Sequence, residues 1–336
     1  WELKDSADFR MVKAYCLHKF NMVKECMEIL NSIDVEYIRY PYLRIEYHIV
    51  RGALAFHSAK WEDAKDEFEY AYSLSKKEGL EKHELISMEN LAKVYWKTGM
   101  IEKSIEIVKE ALVEAEKVAD SSVKGRLLLT HALIVEDALE GPEAALPIIE
   151  EAIQCFKDAG NTYDLARAFN NLGVAYFKLK NDRKALLSWR KAYSYGTRAY
   201  NRLHKIYSQL NMADIYSKRG EYDEALKQFE EAKQGILETG NRAVLPYVYL
   251  NQAILYDNMR RYRSANESFS KAIEAVKNMG TPLNMAEIYM HYAKFLWKLK
   301  KKRPARLYKR NSLQLYREYG GEEIYQKAEE ELKHIK

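Results

Sequence analysis

Small residues return in this chain every 40 positions. Ala64, Ser104, Ala145, Ala185, Ala225, Ala265 and Ala305 are separated by steps of 40, 41, 40, 40, 40 and 40. Seven places after each stand Ala71, Ala111, Ala152, Ala192, Ala232, Ala272 and Ser312. Twelve places before each stand Gly52, Ala92, Leu133, Gly173, Ala213, Ala253 and Ala293. A fixed period of this size means one supersecondary unit, repeated and stacked, and not a set of independent globules. Small side chains at matched places let the two helices of a unit cross closely. Larger ones fill the space around them: Phe68, Val108, Ile149, Trp189, Phe229 and Phe269. Gly79, Gly160, Gly240, Gly280 and Gly320 lie fifteen residues beyond the first column, where a glycine in the left-handed conformation would end a helix. The chain has only 14 glycines and 6 prolines, as long helices with short joints require.

The stretch Phe169–Ala192, FNNLGVAYFKLKNDRKALLSWRKA, resembles the tetratricopeptide pattern. In that frame Leu172 and Gly173 take positions seven and eight, Tyr176 eleven, Ala185 twenty, Trp189 twenty-four and Ala192 twenty-seven. The resemblance implies an all-α fold, a right-handed superhelix (α-solenoid) of about eight helix-turn-helix repeats. The usual unit of the family is about 34 residues. The longer unit here predicts a lengthened second helix, since stretches such as ALVEAEKV (111–118) stay helical in character. Long units resemble those of bacterial signalling regulators, the Rap-type and PlcR-type peptide sensors and the maltose-regulator type. The close of the chain, residues 286–332, resembles the end of such regulatory domains.

Residues 1–40 fit the frame loosely, with Ala14, Leu17, Cys26 and Leu30 as positions eight, eleven, twenty and twenty-four of a degenerate N-terminal capping repeat. Tandem repeats then run over 41–320, and 321–336 form a C-terminal capping helix. Gly141-Pro142 and the single step of 41 leave the frame of the unit around His131 open by one residue. The chain begins at Trp1, which reads as a fragment whose effector domain lies elsewhere.

Hydrophobic residues are 47% and charged residues 31% of the chain, the balance of a folded protein. Its 54 basic and 49 acidic side chains nearly cancel, which is too weak a bias to argue that nucleic acid is bound directly. Cys16, Cys26 and Cys155 show no paired spacing, as expected of a reducing, cytoplasmic setting. No signal peptide or apolar run long enough to span a bilayer is present, so no membrane role is expected. Nucleotide-cradling GxGxxG and GxxxxGK[ST] loops are lacking, as are HExxH, CxxC and GxSxG. The chain therefore reads as a binding module, not an enzyme, without cofactor or metal, and a homodimer is compatible with it.

In the family the first helix of each repeat lines the concave side, and position six faces the ligand. Here that position holds Asn90, His131, Asn171, Asn211, Asn251 and His291. An amide both donates and accepts, so a row of them could grip a peptide main chain or simply bridge neighbouring helices. Other inward positions supply Lys93 and Asp214, Trp96, Phe177 and Trp297, Lys97, Lys178 and Lys218, and Arg167. Amides, aromatics and lysines together suit an acidic peptide or a free C-terminal carboxylate. The expected partner is thus a peptide or protein segment in the concave groove. A constitutive assembly scaffold and a small-molecule sensor are the alternatives. The run KLKKKRPARLYKR (298–310) reads as a solvated turn between two helices, with Pro304 marking the turn.

Overall fold

A computed structural model describes residues 6–20, 22–58, 60–136, 140–239, 244–277, 282–319 and 321–336. Seventeen α-helices occur among them: α1 (Ala7–Lys19), α2 (Val23–Asn31), α3 (Pro41–His57), α4 (Trp61–Lys77), α5 (Glu81–Lys97), α6 (Ile101–Val118), α7 (Ser121–Ile134), α8 (Pro142–Asp158), α9 (Thr162–Lys178), α10 (Asp182–Arg198), α11 (Arg202–Lys218), α12 (Tyr222–Thr239), α13 (Leu245–Asn258), α14 (Tyr262–Lys277), α15 (Pro282–Lys298), α16 (Lys302–Tyr319) and α17 (Gly321–Leu332). The described residues contain no strand. Helices form consecutive packed pairs, as an all-α repeat superhelix requires. The chain divides into two compact units, Trp1–Asn211 with Glu238–Asn241 and Met212–Leu237 with Arg242–Lys336, so the boundary falls within α11.

The first unit holds the pairs α1–α2, α3–α4, α5–α6, α7–α8 and α9–α10. Its small-residue columns are fully buried at Ala64, Ala71, Ala92, Ala111, Ala145, Ala152, Ala185 and Ala192. The extra length of the unit is shared and does not sit in the second helix alone. First helices α3, α5 and α9 have 17 residues each, like second helices α4, α8 and α10. Gly79 and Gly160 close their helices at φ of 65° and 64°. The Leu80 N–H then reaches back to the Ser75 carbonyl at 2.9 Å, the long bond of a Schellman cap. Ala119 and Tyr200 adopt the same left-handed conformation at the same place in their repeats, at φ of 53° and 54°. Gly240, Gly280 and Gly320 lie outside the described residues.

The 41st residue is absorbed in one turn. Ala132 is buried at 1% exposure while Leu133 is only half-buried. The small position eight of α7 is therefore Ala132, 40 residues after Ala92, and the surplus residue lies in the connection to α8. The helix end widens there into a π-type turn at Val135–Glu136. Shifting the frame back by one puts Arg126 at position two and Thr130, not His131, at position six.

Gly173 shows why one column must stay small. A Cβ there would meet the edge of the Trp189 indole well inside van der Waals contact. Trp189 is 2% exposed and its Nε1–H donates to the Asn170 carbonyl at 3.1 Å, so the ring has nowhere to go. Gly173→Ala is expected to lower stability by about 1–3 kcal/mol through overpacking, although alanine is the better helix former. Urea unfolding followed by circular dichroism reads this, and an unchanged or raised midpoint would count against it.

The second unit holds α13–α14 and α15–α16, with α17 packed on α16. Its core runs from Leu250 through Phe269, Ala293 and Phe295 to Leu332 and Ile335. Pro304 does not mark a turn: it lies in the first turn of α16, where a missing N–H breaks no helical bond. Lys309 stands 40 residues after Phe269, and its Nζ donates to the Ile335 carbonyl at 2.8 Å.

Candidate binding site

Position five of the first helices is a buried, mostly apolar column: Ile49, Leu129, Leu210, Leu250 and Met290 stand there, with Asn170 as its one amide. Glu89 occupies the same column in α5 at 1% exposure. A carboxylate so placed must be compensated. Lys93, one turn on, donates to Glu89 Oε1 at 2.5 Å. Arg126 of α7 brings Nη2 to 2.6 Å from Oε2, and Arg167 of α9 brings Nη1 to 3.7 Å from Oε1. Thr130 adds a long hydrogen bond at 3.4 Å. One carboxylate thus ties three successive first helices of the first unit together.

This cluster borders a cavity of about 340 Å³ within the first unit. Position-two residues of five first helices line it: Glu46, Ile86, Arg126, Arg167 and Tyr207. Asn90 and Lys93 of α5 face it as well, with Ile49, Val50 and Ala53 of α3. The opposite wall comes from α1. Tyr163 at the start of α9 donates its hydroxyl to the Lys19 carbonyl at 3.2 Å, across 144 residues of sequence. The Lys19 ammonium lies 5.1 Å from the Tyr15 ring centre and 5.7 Å from that of Tyr163. Asn201 is fully buried and secures the floor: its Nδ2 donates to the Tyr163 carbonyl at 2.9 Å, and its Oδ1 caps α11 at the His204 N–H.

Burial sets the charge states. Desolvation pushes His18 and His204 down to about 3 and lowers His57, so the cavity's three histidines are neutral at ordinary pH. Tyr163 is pushed up to about 12, chiefly by burial, and keeps its proton. Glu89 is opposed by desolvation, but the cations of Arg126, Lys93 and Arg167 hold its carboxyl far below the usual range. Lys93 is lowered to about 8, because burial and the two guanidinium groups outweigh the attraction of Glu89.

Residues 203–278 and 87–112 each match a family model described as tetratricopeptide repeat. No curated protein matches the sequence. Among solved structures, the chain is similar to a Rap protein complexed with competence and sporulation factor, at 18% identity over 96% of this chain and 87% of that one, with a TM-score of 0.67. It is similar to the apo form of the quorum sensor NprR from B. thuringiensis, at 19% identity over 91% and 86%, with a TM-score of 0.62. It is also similar to a signal transduction ATPase with numerous domains, which carries a tetratricopeptide repeat sensor and comes from Pyrococcus horikoshii. That likeness is at 18% identity over 93% of this chain and 48% of that one, with a TM-score of 0.61. The chain carries tetratricopeptide repeats, at residues 87–112 and 203–278.

Of the site residues expected from sequence, the cavity gathers Asn90, Lys93 and Arg167. Asn211 donates to Asn170 Oδ1 at 3.2 Å and bridges neighbouring repeats. Asn171 and His131 are half-buried on α9 and α7. Trp96 packs beside Ala92 and Val108, with the Lys97 ammonium 3.5 Å from its ring centre. Phe177 leans on Trp189 with centroids 5.8 Å apart, and Lys178 pairs with Glu136 at 2.8 Å. These four are turned to the far ends of their helices and do not line the cavity. Asp214, Lys218, Asn251, His291 and Trp297 belong to the second unit. There Lys218 pairs with Asp214 at 2.7 Å, Trp297 packs on the core, and burial lowers His291 to about 4.

Glu89, Arg126 and Asp164 were not anticipated. Glu89 carried a signal, as the one acid in a mostly apolar column. Arg126 was hidden by the one-residue slip in α7. No described helix is long and apolar enough to cross a membrane. Nor does any group of three His, Cys, Asp or Glu among the described residues suit a metal ion.

Proposed function

We propose that this chain is the peptide-binding module of a signalling or transcriptional regulator of the bacterial kind, and that one end of an extended peptide enters the first-unit cavity. The observation that supports this most is the make-up of the wall: one repeat position, taken from five successive first helices, supplies a row of differing side chains. Such a row can read a chain residue by residue. The similar Rap protein is complexed with competence and sporulation factor, and NprR has been solved with its cognate peptide NprX. In this reading residues 1–40 are the N-terminal cap whose α1 closes the cavity, 41–320 are the tandem repeats, and 321–336 are the C-terminal capping helix.

Affinity selection from a pool of short random-sequence peptides, read by mass spectrometry, tests the proposal. The wild-type chain is expected to retain a defined subset. Ala53→Phe, which fills the cavity from α3, is expected to lose that subset at least tenfold while keeping its helical circular dichroism. Retention of nothing by the wild type, or of the same subset by the variant, would refute it.

A further inference from the structure

Positive charge in this chain is concentrated in one stretch. Residues 260–317 hold 15 basic side chains and 3 acidic ones, in a chain whose totals are 54 and 49. The near balance of the whole sequence hides this excess. In the second unit much of it stands on the turns that join the two helices of a repeat. Arg260, Arg261, Lys300, Lys301, Lys302 and Arg303 are all exposed, and none of them pairs with a carboxylate among the described residues. Two neighbours do find acids: Arg263 meets Glu267 at 3.2 Å, and Lys298 of α15 meets Asp257 of α13 at 2.7 Å. The second pair holds the α13–α14 and α15–α16 turns side by side.

Backbone and rings point the same way. Arg260 and Lys300 occupy one repeat position and take left-handed φ values of 58° and 60°. Gly220 fills that position one repeat earlier, at φ of 77°. Glycine adopts this conformation freely, whereas a residue with a Cβ is strained in it. Closing the helix therefore needs no cation, yet two successive turns carry one. Tyr222 and Tyr262, also 40 residues apart, open α12 and α14 and line one groove of about 460 Å³ with Lys218, Arg260 and Lys298. Tyr262 is 36% exposed, and the Lys298 ammonium lies 5.6 Å from its ring centre. Rings set one repeat apart and rimmed by cations suit a strand whose bases stack while its phosphates meet the charges. An acidic protein surface would use the cations alone.

We propose that this turn edge of the second unit binds single-stranded nucleic acid, with bases stacked on Tyr222 and Tyr262 and phosphates held by Arg260, Lys300 and the cations beside them. The inference does not rest on the peptide reading above, and either can fail without the other.

Fluorescence anisotropy of the full chain tests it, with labelled oligouridine and oligothymidine of about 20 nucleotides and a salt series from about 50 to 200 mM. The wild type is expected to bind one or both, and the tighter of the two separates RNA from DNA as the source. Arg260→Gly combined with Lys300→Gly is expected to weaken binding at least tenfold. Its log–log salt dependence should be shallower by about 1.4, since each lost phosphate contact removes about 0.7 on a single strand. Thermal stability should hold or rise, because glycine suits both positions. Tyr222→Leu combined with Tyr262→Leu is expected to weaken binding at least fivefold with the salt dependence unchanged, as stacking releases no counterions. Binding of neither strand by the wild type, or full affinity in the glycine variant, overturns the inference. Equal affinity for duplex DNA or polyglutamate, or full affinity in the leucine variant, marks a general polyanion surface and overturns it too.

Discussion

Replacing Glu89 by glutamine is expected to lower the stability of the first unit by about 3–5 kcal/mol, the scale seen when one partner of a buried charge cluster is removed. The substitution preserves shape. What it deletes is the charge that Lys93, Arg126 and Arg167 share, so three cations from α5, α7 and α9 are left facing one another. Arg126 cannot shed its proton, and Thr130 can still donate to an amide oxygen but brings no charge. Lys93 can yield: already lowered to about 8, it should become neutral near pH 7 in the variant. That escape predicts that Glu89→Gln recovers part of its lost stability when pH is raised from 7 to 9. Urea unfolding at the two pH values measures the loss and the recovery. Peptide-resolved hydrogen exchange should place the weakened amides in α5, α7 and α9. A loss below about 1 kcal/mol would mean that water or ions already screen the cluster.

Acid should undo the same unit well above the carboxylate range. His18 and His204 titrate near 6.5 when unfolded and near 3 when folded, because burial disfavours their charged forms. Between those values the unfolded chain binds protons that the folded chain does not. Stability is therefore complete above pH 6.5 and falls as pH drops toward 3. Each histidine contributes a slope of up to about 1.4 kcal/mol per pH unit, so the two together cost on the order of 2–3 kcal/mol per unit around pH 5. Glu89, whose folded carboxyl is held below its unfolded value, adds to the loss only beneath pH 4.5. The variants His18→Gln and His204→Gln should each flatten the dependence between pH 6.5 and 4. Unfolding midpoints that do not change over that range would show these imidazoles to be hydrated and open.

The repeat was legible because packing imposes it at every turn of the array. Ala64, Ala92 and Ala111 are small for one reason, the close crossing of two helices, and that reason recurs every 40 residues. Site residues obey no such recurrence. Arg126 and Arg167 matter because they differ from Ile86 and Tyr207 at the same repeat position. A periodic reading looks for sameness and passes over such differences. Asparagine at position six recurs, and Asn211 shows a structural cause for it, an amide bridge to the preceding repeat. The closure by α1 was out of reach for another reason. Lys19 and Tyr163 meet through the path of the chain, and neither carries a pattern that announces the other. Even the lengthened second helix was half right, since nothing in ALVEAEKV reveals that the first helices grew as well.

The surplus residue after α7 sits in a connection, so the 40-residue phase from Ala92 to Ala132 is untouched and every later helix presents the face it would have presented without it. Joints of this chain can therefore be lengthened by mutation without turning a single side chain out of the cavity. Cavity side chains at position two can in turn be exchanged without touching the alanine columns that set the crossings. Scaffold and specificity occupy separate sets of positions, and a lineage built on such a chain could change its ligand while keeping its frame.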